Sequence, residues 1–155
     1  MNRNESRKVI MTILYQVFMY QTNKIDYNLE DVINENLPID NKFVKDMVAG
    51  VLNKKDELFN IANENLKDWK ITRLGFTDQA ILSMGIYELL YTDTPDIVAI
   101  NEAVELAKSY SDDKVKNMIN KVLDNIYHKK IDWKIYFFSS VFNLFCLIIK
   151  VRNHI

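Results

Sequence analysis

Turn-forming residues are scarce in this chain. Three glycines and two prolines among 155 residues are too few to close the many hairpins of a β-sandwich or barrel. The same scarcity excludes a glycine-rich phosphate loop, which needs several glycines in one short segment. A single cysteine, Cys146, excludes an intrachain disulfide and fits a reducing compartment. The two histidines, His128 and His154, stand apart from any cysteine or carboxylate cluster with zinc-ligand spacing. No metal, no cofactor and no Ser/His or Cys/His nucleophile is therefore expected. Bulk positive charge is missing too. The net charge is −1, so any attraction to nucleic acid has to come from a local basic patch or from a partner. The first residues, Met1-Asn2-Arg3-Asn4-Glu5, lack the apolar stretch and small-residue cleavage site of a secretory signal, which predicts a cytoplasmic protein.

What is present is apolar periodicity. Hydrophobic residues make up 48% of the chain, enough to pack one domain of this length. Residues 5–21 read as a first helix that is apolar on nearly every side, with Lys8, Thr12 and Gln16 in one thin polar stripe. A helix so apolar is expected at the centre of the fold. Residues 28–37 form a short second helix, stopped before Pro38. Asp40 is the expected N-cap of a third helix whose stripe runs through Val44, Val48, Val51 and Leu52. Gly50 inside that helix costs about 1 kcal/mol against alanine, which points to close approach by another helix. The pattern resumes from Leu58 to Leu66 and stops near Trp69. Whether a break near Lys54-Lys55-Asp56 makes two helices is left open. Thr77 is the expected N-cap of a helix over 78–91, with Asp78 in its first turn. Thr94-Pro95 starts another helix, and Ser111-Asp112-Asp113 caps the last one, with Val115, Ile119, Val122, Leu123 and Ile126 facing inward. The expected fold is all-α, a compact bundle of about six to seven helices.

Two local features bear on function. Within residues 1–24, Arg3, Arg7, Lys8 and Lys24 face a single acid, Glu5. This basic start reads either as a solvated helix end or as a phosphate-contacting arm. Cations at a helix N-terminus oppose the macrodipole at a cost of about 0.3–1 kcal/mol, a hint that they serve a ligand. Glu102 and Glu105 lie three apart on one helical face with Lys108, the pattern of a solvated surface, and the chain reads as a non-enzyme.

From Ile131 the character changes. Residues 135–149 are almost wholly apolar and are flanked by Lys134 and by Lys150 and Arg152, yet fall short of the roughly 20 residues that span a bilayer. A domain end is expected at Lys129-Lys130, dividing the chain into a helical domain over 1–130 and a tail over 131–155. Three readings of the tail compete: a membrane-surface or weak anchor helix, an extra helix packed on the bundle, and a non-native extension of the kind that out-of-frame translation of AT-rich sequence yields. The last is favoured, and no membrane partner is expected.

The run from Asp96 to Lys108, Asp-Ile-Val-Ala-Ile-Asn-Glu-Ala-Val-Glu-Leu-Ala-Lys, is similar nearly residue for residue to a segment of the bacterial NusB family of transcription antitermination proteins. Arg73-Leu74-Gly75, Asp78, Ala80-Ile81-Leu82 and Tyr87-Glu88-Leu89-Leu90 upstream fit the same family. So do Asn120 and Val122-Leu123-Asp124 downstream, and Arg7 and Leu14-Tyr15 at the front. The resemblance spans about residues 3–130 and leaves out the tail. It implies an RNA-binding factor, not an enzyme, that pairs with the ribosomal protein NusE on the boxA element of nascent ribosomal RNA leaders. With NusA, NusG and RNA polymerase it would support read-through of terminators. By position it carries an RNA role onto Arg3, Arg7 and Lys8, onto Tyr15 and Asp78, and onto Tyr110, Lys114 and Asn117. Three departures stand out. The N-terminal arginine run is interrupted by Asn4 and Glu5. Gln79 stands where arginine is common, and Lys121 stands where glycine is usual, which predicts looser packing or an outward face there. The alternatives are a helical accessory domain of the kind attached to ribosomal RNA cytosine methyltransferases, and a tail-anchored membrane-peripheral protein.

Overall fold

The computed structural model describes the backbone of residues 1–152 and the side chains of residues 1–145. Among these residues are seven α-helices and no strand: α1 (Arg3–Thr22), α2 (Leu29–Asn36), α3 (Lys42–Asn53), α4 (Lys55–Asn65), α5 (Phe76–Tyr91), α6 (Asp96–Tyr110) and α7 (Asp113–Arg152), with a single 3₁₀ turn, Ile71–Arg73, leading into α5. Cys146, Lys150, Arg152, His154 and the end of the apolar run lie outside the described side chains.

Capping chemistry sets the helix starts, often a residue or two from where sequence placed them. Asn2 and Glu5 form a reciprocal capping box, which begins α1 at Arg3 and answers two of its orphan donors. At α3 the cap is Asn41, whose side chain accepts from Val44 N–H, while Asp40 pairs with Lys45. The helix expected from Thr77 already begins at Phe76, with Gly75 at the cap position and Thr77 inside the first turn. Asn28 caps α2, and Asp112 supplies the oxygen that caps α7, accepting from Val115 N–H at 2.8 Å. The open question at Lys54 resolves as two helices.

Helix α5, rather than α1, is the hub. It packs against α1, α3, α4, α6 and α7, and ten of its 16 residues are buried, from Gln79 to Leu89. A helix enclosed on all sides must let its neighbours approach closely, and small residues do this. A Cβ on Gly85 would meet Ala103 of α6 at 3.0 Å and Leu123 of α7 at 3.3 Å. Gly50 of α3 serves the expected close approach: an added Cβ would fall 2.0 Å from the Tyr87 hydroxyl of α5. Between these contacts Phe18, Leu14, Ile81, Leu82 and Leu89 fill the core.

A charged pair is buried inside this apolar body. Arg7 of α1 is 5% exposed and Glu88 of α5 is 2% exposed. The guanidinium donates from Nε at 3.1 Å and from Nη2 at 2.5 Å to the two carboxylate oxygens, the bidentate geometry that arginine suits. Glu102 of α6 lies 3.6 Å from Nη1, and Thr94 donates its hydroxyl to Glu88 at 2.9 Å. The pair thereby ties α1, α5 and the entry to α6 together.

Helix α7 continues without a break through Lys129-Lys130. Lys130 donates to the Leu89 carbonyl at 2.7 Å and to Asp96 at 2.6 Å, pinning α7 where α5 ends and α6 begins. Beyond Ile131, every described side chain from Asp132 to Phe145 is exposed. Among the described residues, these side chains do not pack on the bundle. No helix among the described residues is long and apolar enough to cross a membrane.

Three stability outcomes follow. Arg7→Ala leaves the Glu88 carboxylate buried without its counter-charge, and is expected to lower unfolding free energy by about 3–5 kcal/mol in urea titration. Lys8→Ala, one residue on and exposed, is expected to change it by less than about 0.5 kcal/mol. Deleting 132–155 removes only exposed side chains among those described, and should leave the thermal midpoint within about 3 °C.

Candidate nucleic-acid interface

Lys8, Thr12 and Tyr15 recur at helical spacing on α1 and form one outward stripe. At its N-terminal end, Lys8 borders a cleft of about 210 Å³ that it shares with Asn4 and, across on α6, with Glu105 and Ser109. At its other end the Tyr15 ring, 37% exposed, meets Phe76 edge-on with ring centres 6.3 Å apart. Phe76 opens α5, so Tyr15 sits beside the first turn of that helix, where Asp78 lies.

Asp78 links this face to the corner between α6 and α7. Its carboxylate accepts the Ser111 hydroxyl proton, which fixes the α6–α7 connection against the start of α5. Tyr110, 48% exposed, immediately precedes that serine. It also follows Ser109, which borders the Lys8 cleft. Lys114 and Asn117 are exposed on the first turns of α7, and the Lys114 ammonium stands 5.6 Å from the centre of the Trp69 ring.

Two contacts, Tyr15 with Phe76 and Asp78 with Ser111, thus bring the α1 stripe and the α6–α7 corner, with Tyr110 and Lys114 beside it in the chain, to the start of α5. The result is cations and open aromatic rings side by side, interrupted by the acids Glu105, Asp78 and Asp112. Unpaired nucleic acid uses such a surface through phosphate contacts and base stacking.

Two members of the expected set are placed differently. Arg7 borders the Lys8 cleft but is buried, with Nε and Nη2 bonded to Glu88 and Nη1 near Glu102. Arg3 sits about 120–180° around the α1 axis from the Lys8–Thr12–Tyr15 stripe, at 3.6 residues per turn. There its guanidinium stacks 3.9 Å from the Phe43 ring centre and borders a separate cavity with Asp46, Tyr87 and Thr94. Of the basic arm, Lys8 alone shares the Tyr15 stripe.

The departures from the family pattern also find places. Gln79 is buried and donates to the Leu74 carbonyl at 2.8 Å, holding the turn before α5. Lys121 is exposed, so that face of α7 turns outward. Sequence reading passed over Trp69, 44% exposed. The available signal was an aromatic residue between charges in a loop, Lys67-Asp68-Trp69-Lys70. Among the described residues no group of three or more His, Cys, Asp or Glu is arranged to hold a metal ion.

Comparison with known proteins agrees with this architecture. The NusB family model matches residues 4–128. The chain is 38% identical over 135 residues to a transcription antitermination protein NusB of Finegoldia magna, covering 84% of this chain and 96% of that protein. It is 43% identical over 130 residues to the NusB of Staphylococcus carnosus, covering 81% and 99%. Among solved structures, NusB of T. maritima superposes with a TM-score of 0.71 at 28% identity, covering 83% of this chain and 92% of that one. A structure of antitermination factors NusB and NusE in complex with double-stranded RNA superposes at 0.68 with 25% identity, covering 82% and 96%. A match across the whole helical body, at this identity to several relatives spanned nearly end to end, places the chain in the NusB family.

Proposed function

We propose that this chain is a transcription antitermination factor that pairs with NusE, binds unpaired boxA RNA of nascent ribosomal RNA leaders, and acts with NusA, NusG and RNA polymerase in the cytoplasm to carry transcription past terminators. The observation that carries the reading is the side-by-side placement of the Lys8–Tyr15 stripe and the Asp78–Ser111 corner, flanked by Tyr110 and Lys114. Family membership and the NusB–NusE–RNA relative support it.

The mechanism is grip and tether, with no bond chemistry. Lys8 and Lys114 neutralise phosphates. Tyr15 and Tyr110 offer ring faces to bases, each stack worth about 1–3 kcal/mol. Asn117 offers an amide to base edges or sugar hydroxyls. Asp78 positions rather than binds, since its carboxylate holds Ser111 and with it the corner. Arg7 acts from inside the body by fixing α1, while Arg3 lies outside the main track and would contact RNA or partner only from the Phe43 side. The protein's net charge of −1 makes the NusE partner a necessary source of further attraction.

The test is capture of purified NusE by the full chain, with and without boxA RNA, across a salt series. A ternary complex whose RNA affinity falls steeply with salt is expected. Tyr15→Ala and Tyr110→Ala should each weaken RNA binding about tenfold or more. Lys8→Ala or Lys114→Ala should reduce the log–log salt slope by about 0.7 each, as for one lost single-strand phosphate contact. A folded chain that captures no NusE and binds no boxA RNA would refute the reading.

A further inference from the structure

On the far side of Lys114 the surface continues in a form the RNA track just described does not use. Lys114, Asn117, Lys121, Asn125 and Lys129 recur at three- to four-residue spacing along α7, so they share one face of the helix. At 1.5 Å per residue the stripe from Lys114 to Lys129 is about 22 Å long. The face forms one wall of a shallow groove. Asn117, Lys121 and Asn125 line it from α7, and Asn65 and Lys67 line it from the end of α4 and the loop that follows. One end is closed by Lys129 donating to Asn65 at 2.8 Å. Two residues beyond Lys67 in the same loop stands exposed Trp69, after Asp68 in a left-handed turn at φ 61°, with the Lys114 ammonium 5.6 Å from the ring centre.

The charge balance of the groove is positive. Asp113 pairs with Lys116 on its own helix at 3.5 Å, while Asp124, 3.4 Å from His128, sets one acid against Lys114, Lys121 and Lys129. Of the loop residues only Asp68 is acidic, against Lys67 and Lys70. A half-exposed tryptophan beside cations, at the mouth of an amide- and lysine-lined channel, is the pattern of a stacking platform for a single strand. Leu66, Met118 and Val122 also line the groove, so it offers apolar contact to base faces beside lysines that suit phosphates.

We propose that this groove is a second RNA subsite, which takes unpaired nucleotides flanking the segment gripped at Tyr15 and Tyr110, with one base stacked on Trp69 and the following phosphates on Lys67 and Lys121. The proposal rests on the RNA-binding reading above and extends it. Lys114 and Asn117 are the residues the two subsites share.

The experiment uses the full chain with NusE and two RNAs: the boxA core alone, and the core with an added run of uridines at one end or the other. Trp133→Phe makes Trp69 the only tryptophan, so its fluorescence reports base stacking directly. The expected result is that one of the extended RNAs binds about tenfold tighter than the core, as one good stack provides, and quenches Trp69. Trp69→Ala and the pair Lys67→Ala, Lys121→Ala should each abolish that gain, the lysine pair leaving core affinity unchanged. Equal affinity for core and extended RNAs at both ends, with Trp69 fluorescence unmoved, would overturn the subsite and leave the core reading standing. Failure of the core RNA to bind at all would remove both. A loss of core affinity in Trp69→Ala would assign Trp69 to the core track and overturn the separate subsite.

Discussion

The Arg7–Glu88 ion pair is the constraint on which the binding face depends. An arginine near a helix start is ordinarily a solvated charge. Here it is drawn into the body and held at two points by a carboxylate of the most enclosed helix. That bond fixes the rotation of α1 about its own axis. Because side chains advance 100° per residue on a helix, the rotation that buries Arg7 also determines that Lys8, Thr12 and Tyr15 face outward toward α6 and the start of α5. A charged pair in a core gains little stability over a well-packed apolar pair. What it supplies here is register, and register decides which stripe of α1 meets the α6–α7 corner.

The second constraint is the enclosure of α5. With five helices around it, it brings both ends of the candidate face within reach of one element. Phe76 and Asp78 in its first turn touch Tyr15 and Ser111, and Glu88 near its last turn holds Arg7. At the same end, Tyr91 donates its hydroxyl to Glu57 of α4. Accepting that proton lowers the Glu57 carboxyl from its usual range, and the same bond pushes the tyrosine up to about 12. Both groups thus keep their ordinary charge across the neutral range, and the α4–α5 contact carries no pH switch there.

Much of this was legible in sequence because it is periodic. The apolar stripes placed every helix but the last to within a few residues, and the near-continuous apolar run over 78–91 marked a buried element. The junction at Ser111-Asp112-Asp113 followed from capping chemistry. Less visible were features that depend on the partner. Arg7 and Arg3 look alike in one dimension, and only the position of Glu88 on the facing helix shows that one is internal. Asp40 and Asn41 are both good caps, and the choice between them rests on Lys45 drawing the carboxylate away. Trp69 ended an apolar pattern and so read as the edge of a core, whereas a left-handed residue at Asp68 turns it outward. The tail was separable by composition, and the continuity of α7 through it was not, since no helix-breaking residue intervenes.

The central claim is that a single RNA strand runs along the Lys8–Tyr15 stripe and around the Tyr110–Lys114 corner. Photo-crosslinking of thiouridine-substituted boxA RNA to the NusE-bound chain, with the attachment sites read by mass spectrometry, tests it most directly. The account predicts crosslinks on both α1 and the α6–α7 corner within one complex, at Tyr15 and Tyr110 or their immediate neighbours. Crosslinks confined to the opposite face, around Arg3, Phe43 and Tyr87, would contradict it.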